Sequence, residues 1–246
     1  MQVYWLEQGE ADAAPENDWL SAHEVLLLSG MRFAKRRADW RLGRWTAKHA
    51  VAGYLHLTDQ TYSLQEIEIR SLSSGAPEVF LANRPAPVTI SLSHRDGIAV
   101  CAVAPSKVAL GCDLEIIEPH SDAFLTDYFT AEEQALVARS ADRDLLLALL
   151  WSAKESALKA LGAGLRLDTR CVVVRPNDAS FDSAGWHALQ VRHSSGRVFY
   201  GWWQQTGELV RTLVSDPASP PPILLRSQLE RTAGRFHQLS TAILLA

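Results

Sequence analysis

The stretch DLLLALLWSAKESALK, residues 144–159, begins as almost pure leucine and alanine and then admits Lys154, Glu155 and Lys159. Its spacing predicts a helix from about Leu145 to Leu161, stopped by Gly162 and Gly164. Apolar residues on nearly every side mark a helix that is mostly buried. Trp151, Glu155, Lys159 and Gly162 fall along one line of it. Glu155 and Lys159 are four apart and fit an ordinary surface ion pair, worth only about 0.2–0.5 kcal/mol. The alternative is that this one polar line is a working edge.

A companion stretch is GCDLEIIEP, residues 111–119. Read as a strand, it projects Asp113 and Glu115 from one face and sends Cys112, Leu114 and Ile116 into the core. Two like charges side by side repel, and a cation is the usual remedy. With Glu155 they make three carboxylates, a hard oxygen set suited to Mg²⁺, which keeps coordination positions for water and phosphate oxygens. A diphosphate is then the expected ligand, with Lys154 and Lys159 neutralising its oxygens.

Outward from these two stretches, the alternation of patterns gives the fold class. Residues 2–6 read as a strand and 31–56 as a long amphipathic helix. QEIEIRSL (65–72) reads as a strand, and SSGAPEVFLANRPAP (73–87) as a Gly/Pro-rich turn region. VTISLS and IAVCAVA form a hairpin joined by Ser93-His94-Arg95-Asp96-Gly97, and VALGCDLEII (108–117) is a further strand. FTAEEQALVARS (129–140) is a helix with Thr130 and Glu133 in capping-box register. CVVVRP, WHALQVRH, RVFYGWWQ and LVRTLVS complete a final antiparallel sheet. The order predicts an α+β protein of two similar halves, 1–106 and 107–216, followed by an extension, 217–246, in which a terminal helix is expected.

At 246 residues, 47% of them hydrophobic, the chain has ample material for a core. No segment has the apolar length of a membrane span, and the acidic beginning lacks a secretory pattern, so a cytoplasmic protein without membrane attachment is expected. The three cysteines, Cys101, Cys112 and Cys171, lie in apolar runs without ligand-like spacing. A net charge of -4 argues against general nucleic-acid binding. One basic cluster stands out: Arg32, Lys35, Arg36, Arg37, Arg41, Arg44 and Lys48 lie within seventeen residues. Such a cluster is either a solvated helix face or the approach to an anionic ligand.

GCDLE followed by WSAKESALK resembles the paired signature of the 4′-phosphopantetheinyl transferases. ISLSH resembles that family's serine–histidine hairpin, and KRRADWRLGR the basic helix of its larger, single-chain class. Together these cover about residues 35–165. The resemblance implies a fold of two pseudo-symmetric halves with the active site in the cleft between them. It also implies Mg²⁺-dependent transfer of the phosphopantetheine arm of coenzyme A to a serine of an apo acyl or peptidyl carrier protein, releasing 3′,5′-adenosine diphosphate. Asp113, Glu115 and Glu155 would ligate the metal, and Lys159 would contact the pyrophosphate with Lys154 nearby. Ser93 and His94 would hold coenzyme A phosphates, Arg36 and Arg44 the 3′-phosphate. Glu155 is the candidate base, acting through water because a carboxylate on a cation is weakly basic.

One departure is plain: where many members carry a basic residue in a turn, this chain has Gly75-Ala76-Pro77, and Arg70 or the helix arginines are expected to compensate. A chain with both halves needs no second copy to complete its cleft, so a monomer is expected. A Mg²⁺-dependent phosphohydrolase would use the same carboxylates and lysines, and a coenzyme A-binding protein without catalysis would use the same pocket. His94 also has a plain reading as a surface turn histidine.

Overall fold

The computed structural model describes residues 1–57, 62–163, 166–177 and 185–225. The first half contains β1 (Tyr4–Gly9), α1 (Ala22–Ser29), α2 (Ala34–Tyr54), β2 (Ile67–Ser71), β3 (Pro77–Leu81), β4 (Arg84–Pro85), β5 (Val88–Arg95) and β6 (Ile98–Pro105). The second contains β7 (Ala109–Ile116), α3 (Asp122–Tyr128), α4 (Ala131–Val137), α5 (Arg143–Ala160), β8 (Val172–Pro176), β9 (His187–His193), β10 (Val198–Thr206) and β11 (Leu209–Asp216). A short β12 (Ile223–Leu224) returns to pair in parallel with β1. The chain is an α+β protein, as the pattern of periodicities predicts. The terminal helix expected after Leu225 lies outside the described residues.

Strand order repeats between the halves. In the first, β1 pairs with β6 and β6 with β5; in the second, β7 pairs with β11 and β11 with β10. Each opening strand therefore pairs with the last strand of its own hairpin run, and each half packs one long helix on its sheet. Ala47, Ala50 and Val51 of α2 pack with Ile90, Cys101 and Val103. Leu147, Leu150 and Ala157 of α5 pack with Val174, Val191 and Phe199. Between the halves lies a third apolar layer, in which Trp5, Val100 and Ala102 meet Leu110, Cys112 and Leu114. The Cys112 amide donates to Ser91 Oγ at 2.9 Å, so β7 is tied across the layer to β5.

A second repeat is polar and buried. Glu24 closes a capping box with Ser21 at the start of α1, and Glu133 does the same with Thr130 at the start of α4. Each glutamate also reaches a lysine of the long helix: Glu24 Oε2 lies 2.5 Å from Lys48 Nζ, and Glu133 Oε2 lies 2.8 Å from Lys154 Nζ. The other oxygen of each accepts a strand amide, Ile69 in one half and Val174 in the other. The lysines spend their remaining hydrogens on main-chain carbonyls, Trp19 and Leu64 for Lys48, Thr169 and Val172 for Lys154. A buried charge needs this complete set of partners, because an unpaired one costs several kcal/mol.

Two expectations change. The Gly/Pro-rich stretch 73–87 is not turn throughout but contains the hairpin of β3 and β4. Ala82 and Asn83, with φ of 45° and 64°, make its tight turn, while Val79 is buried and Pro77 and Pro85 fall at strand ends. The hairpin after β5 is also shorter than expected. Only Asp96 and Gly97 turn, both at positive φ, and the register holds from Val88 through Arg95. Ser93 and His94 thus sit on a rigid strand rather than in a loop.

Candidate active site

Gly111 decides how α5 sits. A β-carbon there would meet the Ser156 carbonyl oxygen at 1.7 Å, so the helix backbone lies directly on β7 and only glycine fits beneath it. On the same side, Ser152 and Ser156 share hydrogen bonds with the Thr212 hydroxyl at 2.8 and 2.7 Å, fixing the helix to β11. The face carrying Glu155 and Lys159 is thereby set beside Asp113. Trp151, one turn earlier on that line, packs edge-on against Phe124 and Tyr128 of α3.

Lys159 Nζ donates to Asp113 Oδ1 at 2.7 Å and to the Cys112 carbonyl at 3.0 Å, and lies 4.0 Å from Glu155. Ser93 Oγ donates to the same Asp113 oxygen at 2.7 Å. Asp113 Oδ2 is buried without a hydrogen-bond partner. Glu115 stands 3.8 Å from Arg95 Nε, and Arg95 itself is bonded to Glu118. Burial first, and the neighbouring Asp113 second, push both Glu115 and Glu155 from the ordinary carboxylate range up to about 7. Burial alone would lower Lys159, but Asp113, Cys112 and Glu155 outweigh it and raise the ammonium.

Three carboxyl groups short of countercharge, one with an orphaned buried oxygen, are donors that fit a hard divalent cation. Among the described residues no three histidine, cysteine, aspartate or glutamate side chains stand close enough together to hold a metal ion as they are placed, so Asp113, Glu115 and Glu155 would have to converge on one. Arg95 draws Glu115 toward one side and Lys159 holds Asp113, so the set is open.

From Lys159 a cleft of about 1050 Å³ runs between the halves. Trp40, Arg44 and His94 line it from the first half and Lys159 and Arg166 from the second. The Arg44 guanidinium lies 4.8 Å over the Trp40 ring, with Nε 4.0 Å from buried Glu24. Desolvation lowers the Arg44 pKa, partly offset by Glu24. His94 is open to solvent at its edge, yet desolvation of the ring lowers its pKa, with Lys159 and Lys35 adding to the effect and Asp39 and Asp113 opposing it.

The sequence-predicted residues thus divide. Asp113, Glu115, Glu155, Lys159 and Ser93 form one group, and Arg44 and His94 face the adjoining cleft. Arg36 is exposed on α2, two turns before Arg44, outside the cleft lining. Lys154 is corrected: it is fully buried against Glu133 and does not line the cleft. Much of the basic cluster is also structural, since Arg37 holds the Met31 and Arg32 carbonyls, Arg41 those of Ala14, Pro15 and Glu16, and Lys48 the Glu24 carboxylate. Arg70 does not compensate at Ala76, because Glu68 and Asn83 hold its guanidinium. Sequence reading gave no signal for Arg166 or for the brace at Thr212, whose partners are far away along the chain.

Residues 109–205, which include β7 and α5, match the family model described as the 4'-phosphopantetheinyl transferase superfamily. Residues 109–205 are a 4′-phosphopantetheinyl transferase superfamily domain. Along nearly its full length the chain is similar to enterobactin synthase component D of Salmonella austin, with 28% identity over 241 residues, 87% of this chain and 89% of the relative. The counterpart from Salmonella typhi is 28% identical over 239 residues, with the same shares. The family match is confined to the second half of the chain, whereas the similarity to these relatives extends over both halves. Among solved structures, a holo-(acyl-carrier-protein) synthase from Bacillus anthracis str. Ames in complex with CoA (3',5'-ADP) is 20% identical, with a TM-score of 0.36 over 42% of this chain and 92% of its own.

Proposed function

We propose that the chain is a 4′-phosphopantetheinyl transferase of the larger single-chain class, with halves dividing near residue 106. It transfers the phosphopantetheine arm of coenzyme A to a serine hydroxyl of an apo acyl or peptidyl carrier protein and releases 3′,5′-adenosine diphosphate. One observation carries the reading: Lys159 belongs at once to the carboxylate group around Asp113 and to the cation-lined cleft. A phosphate drawn into the cleft is therefore delivered to the acidic group.

Asp113, Glu115 and Glu155 would hold Mg²⁺, which supplies charge neutralisation for the pyrophosphate. The reaction is phosphoryl transfer, so positioning and charge neutralisation dominate it. Lys159 presents its ammonium to the departing phosphate, and Ser93 keeps Asp113 oriented. Glu155, as a metal ligand, would take the proton of the carrier serine through a water rather than directly, because a carboxylate on a cation is weakly basic. Arg44, His94 and, at the rim, Arg36 hold the coenzyme A phosphates. Because one chain lines both walls of the cleft, a monomer suffices. No described helix is long and apolar enough to cross a membrane, and we take the site of action to be the cytoplasm.

The test is incubation with coenzyme A, Mg²⁺ and apo carrier proteins, followed by mass spectrometry of the carrier. Addition of the arm is the expected result. Coenzyme A cleaved with every carrier unmodified indicates a phosphohydrolase, and coenzyme A bound but neither cleaved nor transferred indicates a binding protein.

A further inference from the structure

We propose that Arg166 is a coenzyme A-binding residue, reaching from the second half across the cleft to hold a phosphate against the turn Leu72–Ala76 of the first. The inference rests on the functional reading above and adds a residue to it. Arg166 Nη2 donates to the Ser73 carbonyl at 3.1 Å, and the same nitrogen lies 3.9 Å from where a Gly75 β-carbon would stand. The turn is well formed: Gly75 N donates to Leu72 O at 2.8 Å, Leu72 N to Ala76 O at 2.9 Å, and Gly75 takes a φ of 86°. Gly75, Ala76 and Arg166 all line the cleft that also holds Arg44, His94 and Lys159.

The electrostatic position of Arg166 differs from that of its neighbours. Arg44 has Glu24, and Lys159 has Asp113. Among the described residues no carboxylate lies in ion-pair range of Arg166, which spends one N–H on a carbonyl and keeps four others. A guanidinium tethered by one donor and otherwise uncommitted is preorganised for phosphate, which it grips through two parallel donors. The turn supplies no cation of its own at Ala76. Arg166 therefore brings a positive charge to this wall from the other half, and Lys107 is a further cation of the cleft lining without a carboxylate in ion-pair range among the described residues.

The experiment measures coenzyme A dissociation constants and thermal melting for wild type, Arg166→Ala and the double variant Arg166→Ala with Ala76→Lys. Arg166→Ala is expected to weaken coenzyme A roughly ten-fold or more with little change in melting. Restoring a cation from the opposite side through Ala76→Lys is expected to recover most of that loss, which a residue serving only as a brace to Ser73 would not allow. Unchanged affinity in Arg166→Ala, or a loss that Ala76→Lys fails to recover, overturns the inference while leaving the transferase reading standing. Wild type that does not bind coenzyme A overturns both.

Discussion

Gly111 of β7 lies so close beneath Ser156 of α5 that a β-carbon on the glycine would come within 1.7 Å of the Ser156 carbonyl oxygen. This contact brings Glu155 and Lys159 to the side of Asp113, and it explains the glycine two residues before the aspartate. Gly111→Ala should force the helix off the strand, destabilising the protein by about 1–3 kcal/mol or more. It should also reduce transfer in the fraction that remains folded, because Lys159 leaves Asp113. Melting curves and single-turnover transfer, measured together, check both effects; wild-type melting would mean that the packing is looser than this.

The two lysines of α5 are expected to fail in different ways. Lys154→Met leaves Glu133 charged and buried, and should cost about 3–5 kcal/mol of stability. Adding Glu133→Gln should restore part of it. At temperatures where the single variant is folded, its KM for coenzyme A should match wild type. Lys159→Ala should do the reverse, lowering kcat sharply with a modest effect on melting. Urea unfolding and steady-state kinetics on the same preparations separate the two.

Without a divalent cation, stability should fall as pH rises. Glu115 and Glu155 titrate near 7 in the folded chain against an ordinary value of 4.5, so the folded state holds their protons more tightly than the unfolded chain does. Their contribution is fully present below the ordinary carboxylate range and is lost as pH climbs through about 7. Melting temperature in chelator should therefore drop between about pH 5 and pH 7.5, and Glu155→Gln should flatten that slope. Added Mg²⁺ should raise the melting temperature more at the higher pH, where the carboxylates are ionised. Equal Mg²⁺ effects at both values would count against these carboxylates as its ligands.

Arg44 and Arg36 should differ in degree. Arg44→Ala removes a guanidinium from inside the cleft and should weaken coenzyme A by roughly ten-fold or more, with a much smaller loss for dephospho-coenzyme A. Arg36 is exposed, so Arg36→Ala should have a weaker effect that salt suppresses. Dissociation constants for both ligands at two ionic strengths distinguish the cases. Equal losses for the two ligands would move the 3′-phosphate away from Arg44.

The sequence by itself determined the two elements that carry the acidic residues, α5 and β7. Period-3.6 leucines specify α5, period-2 alternation specifies β7 and places Asp113 beside Glu115, and both are local properties of the chain. Local chemistry likewise specifies the Asp96-Gly97 turn, although its shortness, which puts Ser93 and His94 on a strand, emerged only from the pairing register. What the tertiary structure decided was the use of each charge. Lys154 and Lys159 are one helix and five residues apart, yet one is buried against Glu133 and the other faces Asp113. The helix sequence has no wholly polar side that would rank them, and the choice came from where Gly111 lets α5 rest and where α4 presents Glu133. The basic cluster was sorted in the same way, since Arg41 and Lys48 found partners in the loop before α1 and in α1 itself. Arg166 came to the cleft only because the halves fold against each other, bringing it to Ser73, ninety-three positions away. A charge takes its role from the partners within a few ångströms of it, and those are set by packing between elements rather than by neighbours in the chain.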